Sequence, residues 1–138
     1  MVNKSLILKK LGEMEEYLKQ VKEFAGISLE VYSNDWKVQR IVERTLQMVI
    51  ESCVDIANHI ISDKEYRIPD GYADTFKVLY EEGILRQDLF EIMEKMAKFR
   101  NIIIYHYDKV DEAIVVGILE RHLNDFSFFK EAILNFLK

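Results

Sequence analysis

The punctuation that short elements need is almost missing from this chain, which has five glycines and one proline in 138 residues. Hairpins and many-stranded sheets turn on clusters of Gly, Pro, Asn and Asp. Their scarcity predicts long helices, and the hydrophobic spacing agrees. Ile7, Leu11, Met14, Leu18, Val21 and Ala25 alternate steps of four and three, with Lys9, Lys10, Glu13, Glu16, Lys19 and Lys22 elsewhere on the wheel. This is an amphipathic helix with one narrow apolar stripe. Gly26 loosens its end, and Ser33-Asn34-Asp35 supplies side-chain oxygens suited to stop one helix and cap the next.

A second helix is predicted from near Trp36 to near Ser62-Asp63. Val38, Val42, Val49, Ile56 and Ile60 keep heptad-like spacing, and Leu46, Ile50, Cys53 and Ala57 widen the face. Ile68-Pro69-Asp70-Gly71 reads as a turn, followed by a short helix from about Tyr72 to Glu82 that Gly83 terminates. A fourth helix runs from about Arg86. A last one opens near Asp111 and carries Val115, Leu119, His122, Phe126, Phe129, Ile133 and Phe136 on one stripe. The expected fold is an all-α antiparallel up-down bundle of four long helices and one short one, in a single domain spanning residues 1–138. The stripes are generous for a chain of this size, so a helix-packed homodimer is expected.

Composition excludes several functions. With 19 Lys+Arg against 24 Asp+Glu, a net charge of -5 and a pI near 5.3, the chain lacks the global basic excess of a non-specific nucleic-acid coat. A local basic site is still open to it. The single Cys53 supports neither an internal disulfide nor a multi-cysteine zinc site, so a reducing compartment, the cytoplasm, is expected. MVNKSLILKK is too short an apolar run for a secretory signal. No stretch approaches the roughly 18 apolar residues of a membrane span.

The fourth helix carries the chemistry. Its stripe reads Leu89, Met93, Met96, Arg100, Ile103, Tyr107, which sets a cation where an apolar side chain is expected. A buried guanidinium needs a carboxylate partner, a wet cleft or a subunit interface; a snorkelling or structural ion-paired arginine is the plainer alternative. Tyr107 lies roughly 20° from Arg100 around an ideal helix, so both address one cavity if the helix stays regular. Asn101, Tyr105 and His106 add an amide, a phenol and an imidazole within two turns. An arginine that holds phosphate and a histidine that moves protons suit metal-independent RNA cleavage by a 2′-hydroxyl. Aromatic and imidazole side chains on a helix end are more often core filler and a surface rim.

The second helix offers another polar line, Arg44, Glu51, Asp55 and His59, at steps of seven, four and four on one face. It is either a solvated, salt-bridged face or a supporting cleft in which Glu51 or Asp55 neutralises Arg100. Asp55 and His59 have metal-ligand spacing but no third ligand, so no metal and no cofactor is expected.

The run Arg100-Asn101-Ile102-Ile103-Ile104-Tyr105-His106-Tyr107-Asp108 resembles the R-N-x3-H-x-Y signature of HepT-like proteins in the HEPN superfamily. Glu43-Arg44-Thr45-Leu46-Gln47, Asp55-Ile56-Ala57-Asn58-His59, Ile68-Pro69 with Tyr72 and Phe76, and Gly83-Ile84 resemble that family in the same order. The resemblance covers nearly the whole chain. It implies a bundle that dimerises with two motifs facing one cleft, an endoribonuclease toxin acting on RNA without metal, and an MNT-type nucleotidyltransferase antitoxin that attaches AMP to the motif tyrosine. By position, Arg100 would bind phosphate, Asn101 would support the site and Tyr107 would be the modification target. Aligned without gaps, the family histidine falls on Tyr105, and His106 follows one residue later. Five residues separate Arg100 from His106, a spacing within the superfamily's range. On a regular helix, though, one residue turns a side chain by about 100°. The alternatives are a catalytically impaired member that binds the nucleotidyltransferase and a nucleotide-binding module.

Overall fold

The computed structural model describes residues 2–138. Among them the elements in chain order are α1 (Lys4–Lys22), α2 (Leu29–Ser33), α3 (Trp36–Asp63), α4 (Tyr72–Glu81), α5 (Gln87–Tyr105), a single 3-10 turn (Tyr107–Lys109), α6 (Glu112–Arg121) and α7 (Leu123–Leu137). No strand is present among the described residues, and none of their helices is long and apolar enough to cross a membrane.

The starts are set by side-chain caps. Asn3 accepts from the Leu6 N–H, Asp35 from Lys37 and Val38, and Asp111 from Ala113 and Ile114, each satisfying donors that the first turn leaves free. α3 is the central helix and touches α1, α2, α4 and α5. The pairs Asn3–Asp63, Lys10–Asp55 and Met14–Cys53 run in opposite chain directions, so α1 lies antiparallel along α3. Glu51–Arg100 and Glu43–Tyr107 give α5 the same antiparallel sense. α1 buries Ile7, Leu11, Met14, Leu18 and Val21, each worth about 1.5–3 kcal/mol of transfer free energy. α7 closes the bundle: Phe129 meets Phe76 of α4 edge to face, at 5.8 Å between ring centroids.

The expected all-α bundle is present, but its helices divide differently. A short additional helix, α2, forms between the first two expected helices. Ser28 caps it by accepting from Val31, and the buried Tyr32 anchors it to the core. The last helix breaks at His122, whose backbone (φ -122°, ψ 1°) leaves the helical region while its Nδ1 pairs with Asp125 at 2.9 Å. The apolar stripe continues through the break in Val115, Leu119, Phe126, Phe129 and Ile133. α5 stops at Tyr105, so Tyr107 sits in the 3-10 turn and not on the helix that carries Arg100. Three consecutive isoleucines, which are poor helix formers, precede this stop.

Candidate active site

One face of α3 carries Arg40, Glu43, Arg44, Gln47 and Glu51, and the antiparallel α5 lays the motif along it. Arg100 is the centre of the first cluster. Its side chain is 13% exposed, and its Nε and Nη2 donate to Oε1 of Glu51 at 2.9 and 2.8 Å. Its Nη1 donates to Oδ1 of Asn101 at 3.2 Å, and its guanidinium carbon lies 4.3 Å from the Tyr72 ring centroid. Gln47 donates to the same Glu51 oxygen at 2.9 Å. Burial works against the charge of Arg100, but the hydrogen bonds and charge of Glu51 outweigh it and raise the pKa; Tyr105 adds a smaller contribution. The guanidinium therefore stays charged, and three of its five N–H groups are engaged. The other two can meet a phosphate oxygen.

Tyr107 centres a second cluster. Its hydroxyl donates to Oε1 of Glu43 at 3.2 Å, and Nη1 of Arg40 donates to that same oxygen at 3.2 Å. Arg40 also lies over the Tyr107 ring, 4.9 Å from its centroid. Partial burial and the neighbouring Glu43 carboxylate raise the phenol pKa, so the hydroxyl keeps its proton at neutral pH. An open depression of about 370 Å³ lies here, lined by Arg40, Glu43, Arg44, Gln47 and Tyr107 among others. A second, of about 400 Å³, is lined by Arg44, Glu51, Asp55 and Tyr72 among others. Arg44 borders both, is exposed, and has no carboxylate partner among the described residues.

The expected residues are thus only partly gathered. Glu51, and not Asp55, neutralises Arg100. Asp55 is held by Lys10 of α1 and lies 3.5 Å from His59, whose ring is part-exposed. Among the described residues no three His, Cys, Asp or Glu side chains come together as a metal-ligand set. Tyr105 is 71% exposed. His106 is exposed, with no side-chain hydrogen bond among the described residues, and its backbone (φ -136°, ψ 50°) already lies outside the helix. Its N–H still donates to the Ile102 carbonyl at 2.9 Å, so the helix sets where His106 begins, and only its own dihedrals and the chain after it depart from helical geometry. Glu43 and Arg40 were missed as site residues. Glu43 had a signal: it continues the stripe Leu46, Ile50, Cys53, Ala57 backwards at a step of three, so a carboxylate stands on an apolar face, the same misfit as Arg100.

Residues 14–133 match the family described as ribonuclease HepT-like. The chain belongs to the HepT-like ribonuclease family. Among curated HepT-like relatives it is 30% identical over 128 residues to the mRNA nuclease HepT of Shewanella oneidensis, covering 93% of this chain and 96% of that protein. It is 28% identical over 136 residues to the tRNA nuclease HepT of Aphanizomenon flos-aquae, covering 96% and 90%. In fold it is similar to a tri-AMPylated Shewanella oneidensis HEPN toxin solved in complex with an MNT antitoxin, at a TM-score of 0.85 and 29% identity, covering 94% of this chain and 96% of that one. The all-α fold is that of this family.

Proposed function

We propose that this HepT-like protein is the toxin of a toxin–antitoxin pair, an endoribonuclease that cleaves RNA in the cytoplasm without a metal ion. The observation that carries this reading is the charged, Glu51-anchored Arg100 six residues before an exposed imidazole at the C-cap of α5. Arg100 holds a phosphodiester through its two free N–H groups, and Asn101 steadies the guanidinium. The 2′-hydroxyl attacks phosphorus, the new O–P bond displaces the 5′-oxygen, and His106 moves the proton that this exchange requires. Tyr105 lines the approach. Arg44 supplies a free cation beside the cleft, while Glu51, Asp55 and His59 support its wall.

Two chains with their motifs facing one another complete the cleft. The exposed Ile41, Ile104 and Tyr105 around the motif give such a homodimer its apolar contact. The names of the relatives support RNA as the substrate, an MNT-type nucleotidyltransferase as the partner and AMP as the modification; Tyr107, the tyrosine of the motif, is the residue that receives it. In EDTA, the purified wild type is expected to cleave RNA, with Arg100→Ala and His106→Ala each lowering kcat by at least about 100-fold. A clean wild-type dimer that leaves RNA intact would favour the second reading, which the tyrosine at the family histidine position supports: a non-cleaving member that binds its nucleotidyltransferase.

A further inference from the structure

The motif carries two tyrosines that reach solvent, and exposure alone favours the wrong one for a specific modification: Tyr105 is 71% exposed and Tyr107 44%. Their hydroxyls differ in what surrounds them. Tyr107 Oη donates to Glu43, a carboxylate only 6% exposed, whose same oxygen is fixed by Arg40. No carboxylate accepts from the Tyr105 hydroxyl among the described residues, and the charge on which Tyr105 acts is that of Arg100, which cannot accept a proton. A phenol becomes a competent nucleophile when a positioned base takes its proton as the new bond forms.

We propose that Glu43 is the proton acceptor that makes Tyr107, and not Tyr105, the adenylylated phenol of the motif, with Arg40 and Arg44 receiving the charge of the product. This rests on the reading of Tyr107 as the target of a nucleotidyltransferase. In the step, Tyr107 Oη attacks the α-phosphorus of a nucleoside triphosphate held by the partner. The Oη–P bond forms, the bond to the β-phosphate oxygen breaks, pyrophosphate leaves, and the phenolic proton passes to Glu43. The tyrosyl phosphodiester then carries one negative charge beside two arginines. Arg40 already lies over the ring, and Arg44 borders the same depression with no carboxylate partner among the described residues, so both are available to it. Cations engaged by the adenylyl group are withdrawn from RNA, which couples the modification to silencing.

The test uses the full chain and an adenosine electrophile that needs no partner, 5′-p-fluorosulfonylbenzoyl adenosine, in which attack by a phenol forms an S–O bond and expels fluoride. Peptide mapping of the wild type is expected to show Tyr107 labelled at least about tenfold faster than Tyr105. Glu43→Gln keeps the shape and an acceptor oxygen but cannot take the proton. It is expected to slow Tyr107 at least about tenfold, to leave Tyr105 unchanged and to keep the wild-type circular dichroism; Glu43→Asp is expected to recover part of the rate. A parallel arm uses the Shewanella oneidensis MNT antitoxin with ATP, where Glu43→Gln is expected to lower kcat and leave KM for the toxin chain unchanged. Labelling of Tyr105 first, or equal labelling of Tyr107 in wild type and Glu43→Gln, overturns the proposal. If the probe arm shows the Glu43 dependence and the antitoxin leaves wild type unmodified, the partner reading fails and Glu43 stands as the proton acceptor of Tyr107.

Discussion

At the scale of single residues, two helix ends share one geometry and differ in one side chain. After α4, Gly83 has φ 76°; its N–H bonds the Tyr80 carbonyl at 3.0 Å, and Ile84 reaches back to Leu79 at 2.9 Å. After α3, Glu65 holds φ 55° in the same arrangement, with its N–H on Ser62 at 3.2 Å and Tyr66 on Ile61 at 3.0 Å. Both are Schellman ends, in which a left-handed residue satisfies the last carbonyls of the helix. An L side chain pays about 1–2 kcal/mol to sit there and glycine does not. Urea unfolding is therefore expected to show Gly83→Ala destabilised by about 1 kcal/mol and Glu65→Gly stabilised by about 0.5–1 kcal/mol. Opposite signs for two glycine exchanges at matched positions would isolate the backbone term, since Glu65 makes no side-chain ion pair among the described residues.

At the scale of elements, α4 is held from one side by a single cation. Arg67, in the loop before it, donates to both carboxylate oxygens of Asp74 at 2.7 and 2.9 Å and to Glu81 at 2.7 Å, spanning the helix from its first turn to its last. Asp74 also accepts from the Asp70 N–H, so its carboxyl is pulled from the ordinary 3.8 to about 2, by the Arg67 hydrogen bonds first; Glu81 is lowered from 4.5 by the same guanidinium. A carboxyl depressed in the folded state adds stability that is complete above its unfolded value and is lost as pH falls through the folded one. The Tm of the wild type is thus expected to drop as pH is lowered from about 4.5 to about 2. Asp74→Asn should start lower and fall less over that window. Because Arg67 is 42% exposed, added salt should shrink the difference.

The elements also show what a sequence reveals and why some of it stays hidden. α3 was legible from end to end, because Asp35 is both a stop and a cap and because the apolar stripe is continuous behind it. The bend at His122 was not, since no Gly or Pro marks it and the stripe crosses it without a change of phase. α2 was hidden for a different reason: five residues carry too little periodicity to read, and the burial of Tyr32 that anchors them is a tertiary contact. In the site, Arg100 announced itself as a charge on an apolar stripe, and the need for a partner followed from desolvation, though which carboxylate answered it depended on the register of α3 against α5. Glu43 was the same kind of misfit on the facing helix. The end of α5 at Tyr105, which separates Tyr107 from Arg100 and leaves His106 as the cap residue, depends on local competition between isoleucines, the 3-10 turn and the Asp111 cap, none of which has a strong spacing signal.

At the scale of the whole molecule, the net charge of -5 must be set against the polyanionic substrate proposed for it. The two are compatible if attraction is confined to the strip of α3 and α5 where Arg40 and Arg44 line one depression and Arg44 borders a second beside Glu51, the partner of Arg100, while the remaining surface repels RNA. Such an enzyme should bind weakly outside its site and should depend on salt through few contacts. Each single-strand phosphate neutralised contributes about -0.7 to the slope of log K against log salt, so three arginines give a slope near -2 per cleft-bound strand, far shallower than for a basic nucleic-acid coat. Titrating a fluorescent single-stranded RNA into the His106→Ala chain across a range of KCl concentrations reads this slope directly, with cleavage suppressed. Arg44→Ala is expected to weaken binding and to flatten the slope by about 0.7, because Arg44 has no carboxylate partner among the described residues to give up. Arg100→Ala should weaken binding with a similar change in slope, leaving Glu51 as an uncompensated charge in the cleft. A slope that neither substitution alters would place the RNA on another face of the molecule and would remove the electrostatic basis of the cleft.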